Sequence, residues 1–298
     1  MDRRMVLAGV AALVLSGCAA TPWREEPEAP HDGARILVHA SGQGRDLVLI
    51  PGLSSHPEIW DGLVARLGDG RRIHRVHVRG FAGLEPEDNA TGPVAAPVAE
   101  AIAEYLDANG IESADVIGHS MGGTIGLMLA ARHPRRVRRL MVVDQVPFMG
   151  VFFAPPGTTA QGVAPVADMM RDRMASSNDV AWAMGSRTAI AGMILTESER
   201  DGPIRHAVQT DRVVAGNAMH ELIVTDLTPE LANITAATTV LYVNGPNIPL
   251  TDEQLDAVFR AAYAPLSGVT LKRIPDSAHF IMIDQPDVFE AEVRTFLE

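Results

Sequence analysis

The stretch "DVIGHSMGGTIGLMLAARH", Asp115 to His133, constrains this chain more than any other. "DVI" reads as the end of a buried strand. The run after Ser120 reads as a helix with small residues where it must lie close against a sheet. Passing from strand to helix within "GHSMG" requires a sharp reversal, which forces the serine into a strained backbone conformation and exposes its hydroxyl. The flanking glycines leave room for another group to approach. The helix N-terminus that follows favours negative charge developing near that hydroxyl. A Gly-x-Ser-x-Gly string arises readily by chance among 26 glycines, so its weight comes from the strand and helix around it.

From Ala34 onward, short apolar runs punctuated by glycine alternate with longer helical segments. This is the pattern of an α/β chain with a mostly parallel central sheet and helices on both faces. Strands are expected in "RILVHA" and "DLVLIPG", joined by the turn Ser41 to Gly44, and in "RRIHRVHVRG" and "SADVIGHS". Others are expected in "RRLMVVDQ", "TTVLYVNG" and "VTLKRIPD", and a helix over Val94 to Gly110. Residues 148–225 break the rhythm: they lack a strand, open on "APPGTTAQG" and turn helical and methionine-rich. They divide a core of residues 34–147 and 226–298 and are expected to form a helical lid. Met169, Met170, Met174, Trp182, Met184 and Met193 are candidates to face a pocket beneath it, with plain core packing as the alternative for each.

A chain of 298 residues, 47% hydrophobic and 21% charged, is globular and long enough for one large domain with an insert. Its formal charge of -12 repels phosphate backbones, so nucleic acid is excluded as a partner. The single cysteine, Cys18, excludes an internal disulfide framework and a cysteine-clustered metal site. Arg3 and Arg4 precede the apolar run Met5 to Leu15, too short to span a bilayer, which predicts a signal peptide over residues 1–17. The run ends in "LSGC", which resembles the lipobox of bacterial lipoproteins; that resemblance implies a lipidated Cys18 as the mature N-terminus. By the same resemblance, an alanine rather than an aspartate at position 19 implies delivery to the outer membrane, on its periplasmic side. A plain secretory signal with an incidental cysteine is the alternative. Residues 18–33, rich in Pro and Glu, read as an extended tether.

A serine hydroxyl is a poor nucleophile until a base removes its proton, and the base needs an acid to hold its tautomer. Of the ten histidines, His279 is the best base, in a loop between the last strand and the last helix. His119 adjoins Ser120 but is expected to point away as structural support. His56, after "PGL", is a candidate substrate contact or an exposed bystander. Negative charge on a tetrahedral intermediate needs two backbone donors, for which Met121 and Leu53 fill the positions.

In order along residues 34–298, the segments "PGLSS", "VRGFAG", "GHSMGG" and "SAHF" resemble those of the α/β-hydrolases, with the lid following the sixth strand. The resemblance implies the order serine, acid, histidine, with Ser120 and His279 in the outer places. Its commonest pattern has an aspartate shortly after the strand "TVLYVNG", where this chain has Asn247 and, further on, Asp252. The sixth strand instead ends in Asp144, at the carboxyl edge where functional groups of a parallel sheet collect, and some members of the superfamily carry their acid there. Asp144 is preferred over Asp252, with helix capping or lid anchoring as its other reading.

The resemblance implies a serine hydrolase that cleaves a small carboxylic ester with an apolar acyl or alcohol group through an acyl-enzyme. Lactone, amide and carbon-carbon bond hydrolysis, and acyl transfer, use the same triad. A serine at the elbow disfavours the haloalkane dehalogenase and epoxide hydrolase members, which use aspartate. The rival is a binding lipoprotein that keeps the fold without catalysis and holds an apolar ligand under the lid. No metal or organic cofactor is expected. The five arginines of "ARHPRRVRRL" suit a helix C-terminus and solvent.

Overall fold

The computed structural model describes residues 29–155, 157–246 and 248–298. The signal peptide, Cys18, most of the tether and Asn247 lie outside the described residues. Eight strands form one sheet: β1 (His31–Asp32), β2 (Ile36–Ser41), β3 (Arg45–Ile50), β4 (Arg71–Val78), β5 (Ala114–His119), β6 (Val137–Val143), β7 (Ala237–Tyr242) and β8 (Thr270–Arg273). Among the described residues ten α-helices accompany them: α1 (Asp61–Leu67), α2 (Ala95–Ala108), α3 (Met121–Arg132), α4 (Ala160–Ala175), α5 (Asp179–Met193), α6 (Asp201–Val208), α7 (Arg212–Val224), α8 (Asp252–Ala262), α9 (Ile281–Asp284) and α10 (Pro286–Leu297). Among the described residues, no helix is long and apolar enough to cross a membrane.

The sheet order is β1-β2-β4-β3-β5-β6-β7-β8, with β3 to β8 parallel and β1 and β2 antiparallel to their neighbours. The apolar runs are continuous because the central strands are covered on both faces. Leu47, Leu49, Ile117, Met141 and Val143 face one layer with Trp60, Phe289 and Val293. Val48, Ile50, Val116, Leu140 and Val142 face the other with Ile102, Ile125, Leu129 and Phe259. The strands therefore alternate with period two between α1/α10 on one side and α2, α3 and α8 on the other.

One feature goes beyond the sequence reading and one departs from it. β2 and β3, joined by a short turn, do not pair with each other, because β4 lies between them. Crossing two strand spacings of about 4.8 Å is within reach of the four peptide units from Ser41 to Arg45. The end of the segment read as tether, His31–Asp32, belongs to the sheet as an edge strand on β2. Arg79 secures it by pairing with Asp32 and by donating from Nε to the Gly33 carbonyl at 2.6 Å.

The arginines near the end of α3 make defined bonds as well as meeting solvent. Arg138 and Arg71 pair with the buried Asp115, and Arg132 grips both oxygens of Glu230 at 2.9 Å.

Between β6 and β7 the chain builds an insert of two helix pairs. α4 packs on α7 around Val163, Ala167 and Ile223, while α5 and α6 are tied through the Trp182 indole, which donates to the carbonyls of Ala207 and Val208 at 3.1 and 3.2 Å. The insert returns where it left, since the Leu227 amide donates to the Pro147 carbonyl at 3.0 Å.

Val94 precedes α2 at the N-cap position and has no side chain that can cap it. Glu221 of α7 takes that role: its carboxylate accepts from the amides of Val94 and Ala95 at 2.6 Å and of Ala96 at 2.8 Å. A buried carboxylate on three orphan amides at a helix N-terminus combines charge-assisted hydrogen bonds with the helix dipole. Glu221→Ala is expected to cost about 3 kcal/mol and lower Tm by about 5–10 °C. Thermal unfolding checks this, and an unchanged Tm would mean that water caps the helix equally well.

Candidate active site

β5 ends at His119 and α3 begins at Met121, so Ser120 alone makes the reversal, at φ 52° and ψ −120°. That conformation is strained for a side chain larger than glycine. It is over-determined by its surroundings. The Ser120 amide donates to Val143 of the neighbouring strand at 2.8 Å, and its carbonyl accepts from Gly123 and Thr124 at 2.7 and 3.2 Å. A Cβ at Gly118 would collide with the backbone of Gly122, so the elbow closes only with glycine there.

Asp144 follows β6 directly, in register with the elbow, because His119 of β5 lies opposite Val143 of β6. It too has a positive φ, 53°, and its amide donates to Leu241 at 2.7 Å. Its two oxygens have separate partners: Oδ2 bonds His279 Nδ1 at 2.6 Å, and Oδ1 accepts from the Val243 amide at 3.1 Å. A carboxylate at Nδ1 holds the proton there and leaves Nε2 with the lone pair a general base requires. Tyr263, whose hydroxyl donates to the Gln145 carbonyl at 2.8 Å, fixes the backbone beside the acid. Burial, then the Asp144 charge, pushes this phenol well above its ordinary pKa, so it stays a donor.

His279 is held from behind by His119, whose Nε2 donates to the His279 carbonyl at 2.9 Å and whose ring lies 4.6 Å from the rings of both His279 and Phe280. Burial, then repulsion from His279, pushes His119 well below its ordinary pKa, so it is a neutral support. Asp284 holds the same loop by accepting from the Ala278 amide at 2.9 Å, and it also binds the amides of Leu195 and Thr196 in the insert. Sequence reasoning missed Asp284, Tyr263 and Val243, since a partner that is distant in sequence leaves no local pattern.

The structure brings Asp144 to His279 and takes Asp252 elsewhere. Asp252 pairs with Arg273 at 2.6 Å and accepts from Asn244 at 2.8 Å, at the start of α8. Leu53 lies in the turn after β3, closed by the Ser55 amide on the Gly52 carbonyl at 3.2 Å. Gly52 packs on the elbow so tightly that a Cβ would sit 3.1 Å from the Ser120 Cβ. Met121 is the first residue of α3, where amides lack intrahelical partners. The expected pocket residues are placed differently. Trp182 spends its indole N–H within the insert, and Met184 and Met169 stand 64% and 63% exposed. His56 Nδ1 accepts from the Glu58 amide at 3.1 Å, capping the turn Pro57–Trp60. A cavity of about 720 Å³ lined by His31, Ile36, Ala101 and Tyr105 lies against α2 and includes none of these residues.

Beside His56 stands His77, buried, with Nε2 donating to the Phe81 carbonyl at 2.9 Å. Burial pushes its pKa down to about 4. The unfolded chain takes up this proton near pH 6.5 while the folded chain resists it, so stability is full above pH 6.5 and is lost as pH falls toward 4. The loss is expected to be about 3 kcal/mol. Urea midpoints at pH 7 and pH 4 for the wild type and His77→Gln check this. The variant should lose distinctly less, and parallel losses would reject the assignment.

Residues 47–292 match the model of the alpha/beta hydrolase family, and the chain belongs to that family. It is 24% identical over 271 residues, 88% of its own length and 97% of the relative's, to the pimeloyl-[acyl-carrier protein] methyl ester esterase of Nitrosospira multiformis. A shorter match, 37% identical over 115 residues and 40% of that protein, is to the 2-hydroxymuconate semialdehyde hydrolase of Pseudomonas sp. strain CF600. The fold is shared with an esterase of Exiguobacterium antarcticum at a TM-score of 0.73 and 19% identity, over 90% of this chain and 97% of that one.

Proposed function

We propose that the protein is a serine hydrolase that cleaves a small carboxylic ester. The observation that carries this reading is the 2.6 Å bond between Asp144 Oδ2 and His279 Nδ1, built beside a serine in a strained elbow. In this reading Ser120 Oγ attacks the acyl carbon while His279 Nε2 takes its proton. The amides of Leu53 and Met121 stabilise the oxyanion, and the imidazolium then protonates the leaving alcohol. Water resolves the acyl-enzyme by the same route in reverse, with Asp144 stabilising the imidazolium in both halves. The helical insert acts as the lid over the acyl group. The relative matched over nearly its whole length is named as a methyl ester esterase, which supports the ester reading over the lactone, amide and carbon-carbon alternatives.

The test is release of p-nitrophenol from acetate, butyrate and octanoate esters by the chain from Ala20 onward. An initial burst equal to the enzyme concentration is expected, because the acyl-enzyme accumulates. Absence of turnover on all three, with no labelling by a fluorophosphonate, would favour a binding protein instead.

Export and lipidation at Cys18 form part of the same proposal, supported by the basic, apolar and "LSGC" segments in succession. Incorporation of an alkyne-tagged fatty acid in a bacterial host, lost in Cys18→Ala, is the expected result. Equal incorporation in the variant would reject it.

A further inference from the structure

Two imidazoles flank one carboxylate at the junction of the insert and the core, with a third imidazole packed behind one of them. Glu58, in the turn Pro57–Trp60, places Oε2 3.0 Å from His206 Nε2 of α6 and Oε1 3.7 Å from His56 Nδ1. The His56 ring lies 5.2 Å from that of His206 and 4.6 Å from that of His77. His206 is 4% exposed, and its Nδ1 is buried without a hydrogen-bond partner.

We propose that His56, Glu58 and His206 form a binding site for a divalent cation of the zinc class, stapling α6 of the insert to the turn that follows the Leu53 loop. One donor atom from each of the three lies within 4.8 Å of the other two. Ligand atoms around a tetrahedral ion with bonds of about 2.05 Å stand roughly 3.3 Å apart, and the Glu58 carboxylate already turns one oxygen to each imidazole, Oε2 at 3.0 Å from His206 Nε2 and Oε1 at 3.7 Å from His56 Nδ1. Two imidazoles and one carboxylate are a donor set that zinc accepts, with the fourth position left to water. To bind, the ion replaces the proton that His206 Nε2 donates to Glu58, the ring carrying its remaining proton on Nδ1 instead, and it takes the His56 Nδ1 lone pair now held by the Glu58 amide. Arg205, 3.6 Å from Glu58 Oε2 and mostly exposed, is the competing cation and can swing into solvent. No local metal-ligand spacing marks the site, because His206 stands 148 residues from Glu58.

The proposal is independent of ester cleavage and is read without turnover. The full-length, untagged chain is stripped with a chelator and titrated with Zn²⁺ by calorimetry and with Co²⁺ by visible absorption. Saturation at one ion per chain is expected, with the d–d bands of a four- or five-coordinate site. Tm should rise by about 5 °C when free Zn²⁺ is a hundredfold above Kd. Glu58→Gln and His206→Gln should each weaken binding at least tenfold. Failure of the wild type to bind one equivalent overturns the proposal. So does unchanged affinity in Glu58→Gln, which is half exposed and alters only the charge, so it decides the question even where His206→Gln does not fold.

Discussion

Ser120→Ala is expected to lower kcat on p-nitrophenyl butyrate by about a million-fold, with circular dichroism unchanged. In the proposed mechanism the effect is large because the Ser120 Oγ is the atom that bonds to the acyl carbon. The elbow should survive, since its geometry rests on the bonds from the Ser120 amide to Val143 and from Gly123 and Thr124 to the Ser120 carbonyl, none of which uses the hydroxyl. What activity remains comes from the oxyanion amides and substrate binding, together worth about 10³–10⁴ over water. Burst amplitude and fluorophosphonate labelling should vanish together. A variant that keeps a tenth of its activity would mean that another nucleophile is at work.

Asp144→Asn is expected to lower kcat by about 10⁴, while Asp252→Asn stays within about threefold of the wild type. An asparagine that presents its amide N–H to His279 Nδ1 reverses the preferred tautomer, putting the proton on Nε2 where the base needs a lone pair. It also withdraws the charge that stabilises the imidazolium. Asp252 has no such reach, being occupied by Arg273 and Asn244, so its loss falls on the start of α8. The pair of variants therefore separates a catalytic acid from a structural one on the same assay. Near-normal turnover in Asp144→Asn would reject the assignment whatever Asp252→Asn does.

Much of the fold is legible in the sequence because buried parallel strands must be apolar on both faces. The runs ending at Ile50, Ser120 and Asp144 announce themselves in that way. Strand neighbours are not legible to the same degree: hydrophobicity marks β2 and β3 equally well, and nothing in it says that β4 lies between them. Of the site, the serine and the histidine stand in local contexts with a physical signature, and Asp144 is marked by its place at a strand's carboxyl edge. Glu221 and Asp284 escape, because a carboxylate whose partners are amides a hundred or so residues away has no pattern around it. The methionines of the insert mislead for a related reason. Helical spacing shows that one face is apolar without showing whether that face turns inward or, as at Met169 and Met184, outward.

The Leu227–Pro147 bond gives the insert a closed neck, entered and left at a single point just past Asp144. A segment so joined can change in length or surface away from Glu221, Leu195 and Thr196 while the strand ends that hold Ser120 and Asp144 keep their register. Selection can thus act on what the enzyme admits separately from how it reacts. For the engineer, the same neck marks where a foreign segment can be spliced, provided it also supplies a cap for α2 in place of Glu221 and partners for Asp284 in place of the Leu195 and Thr196 amides.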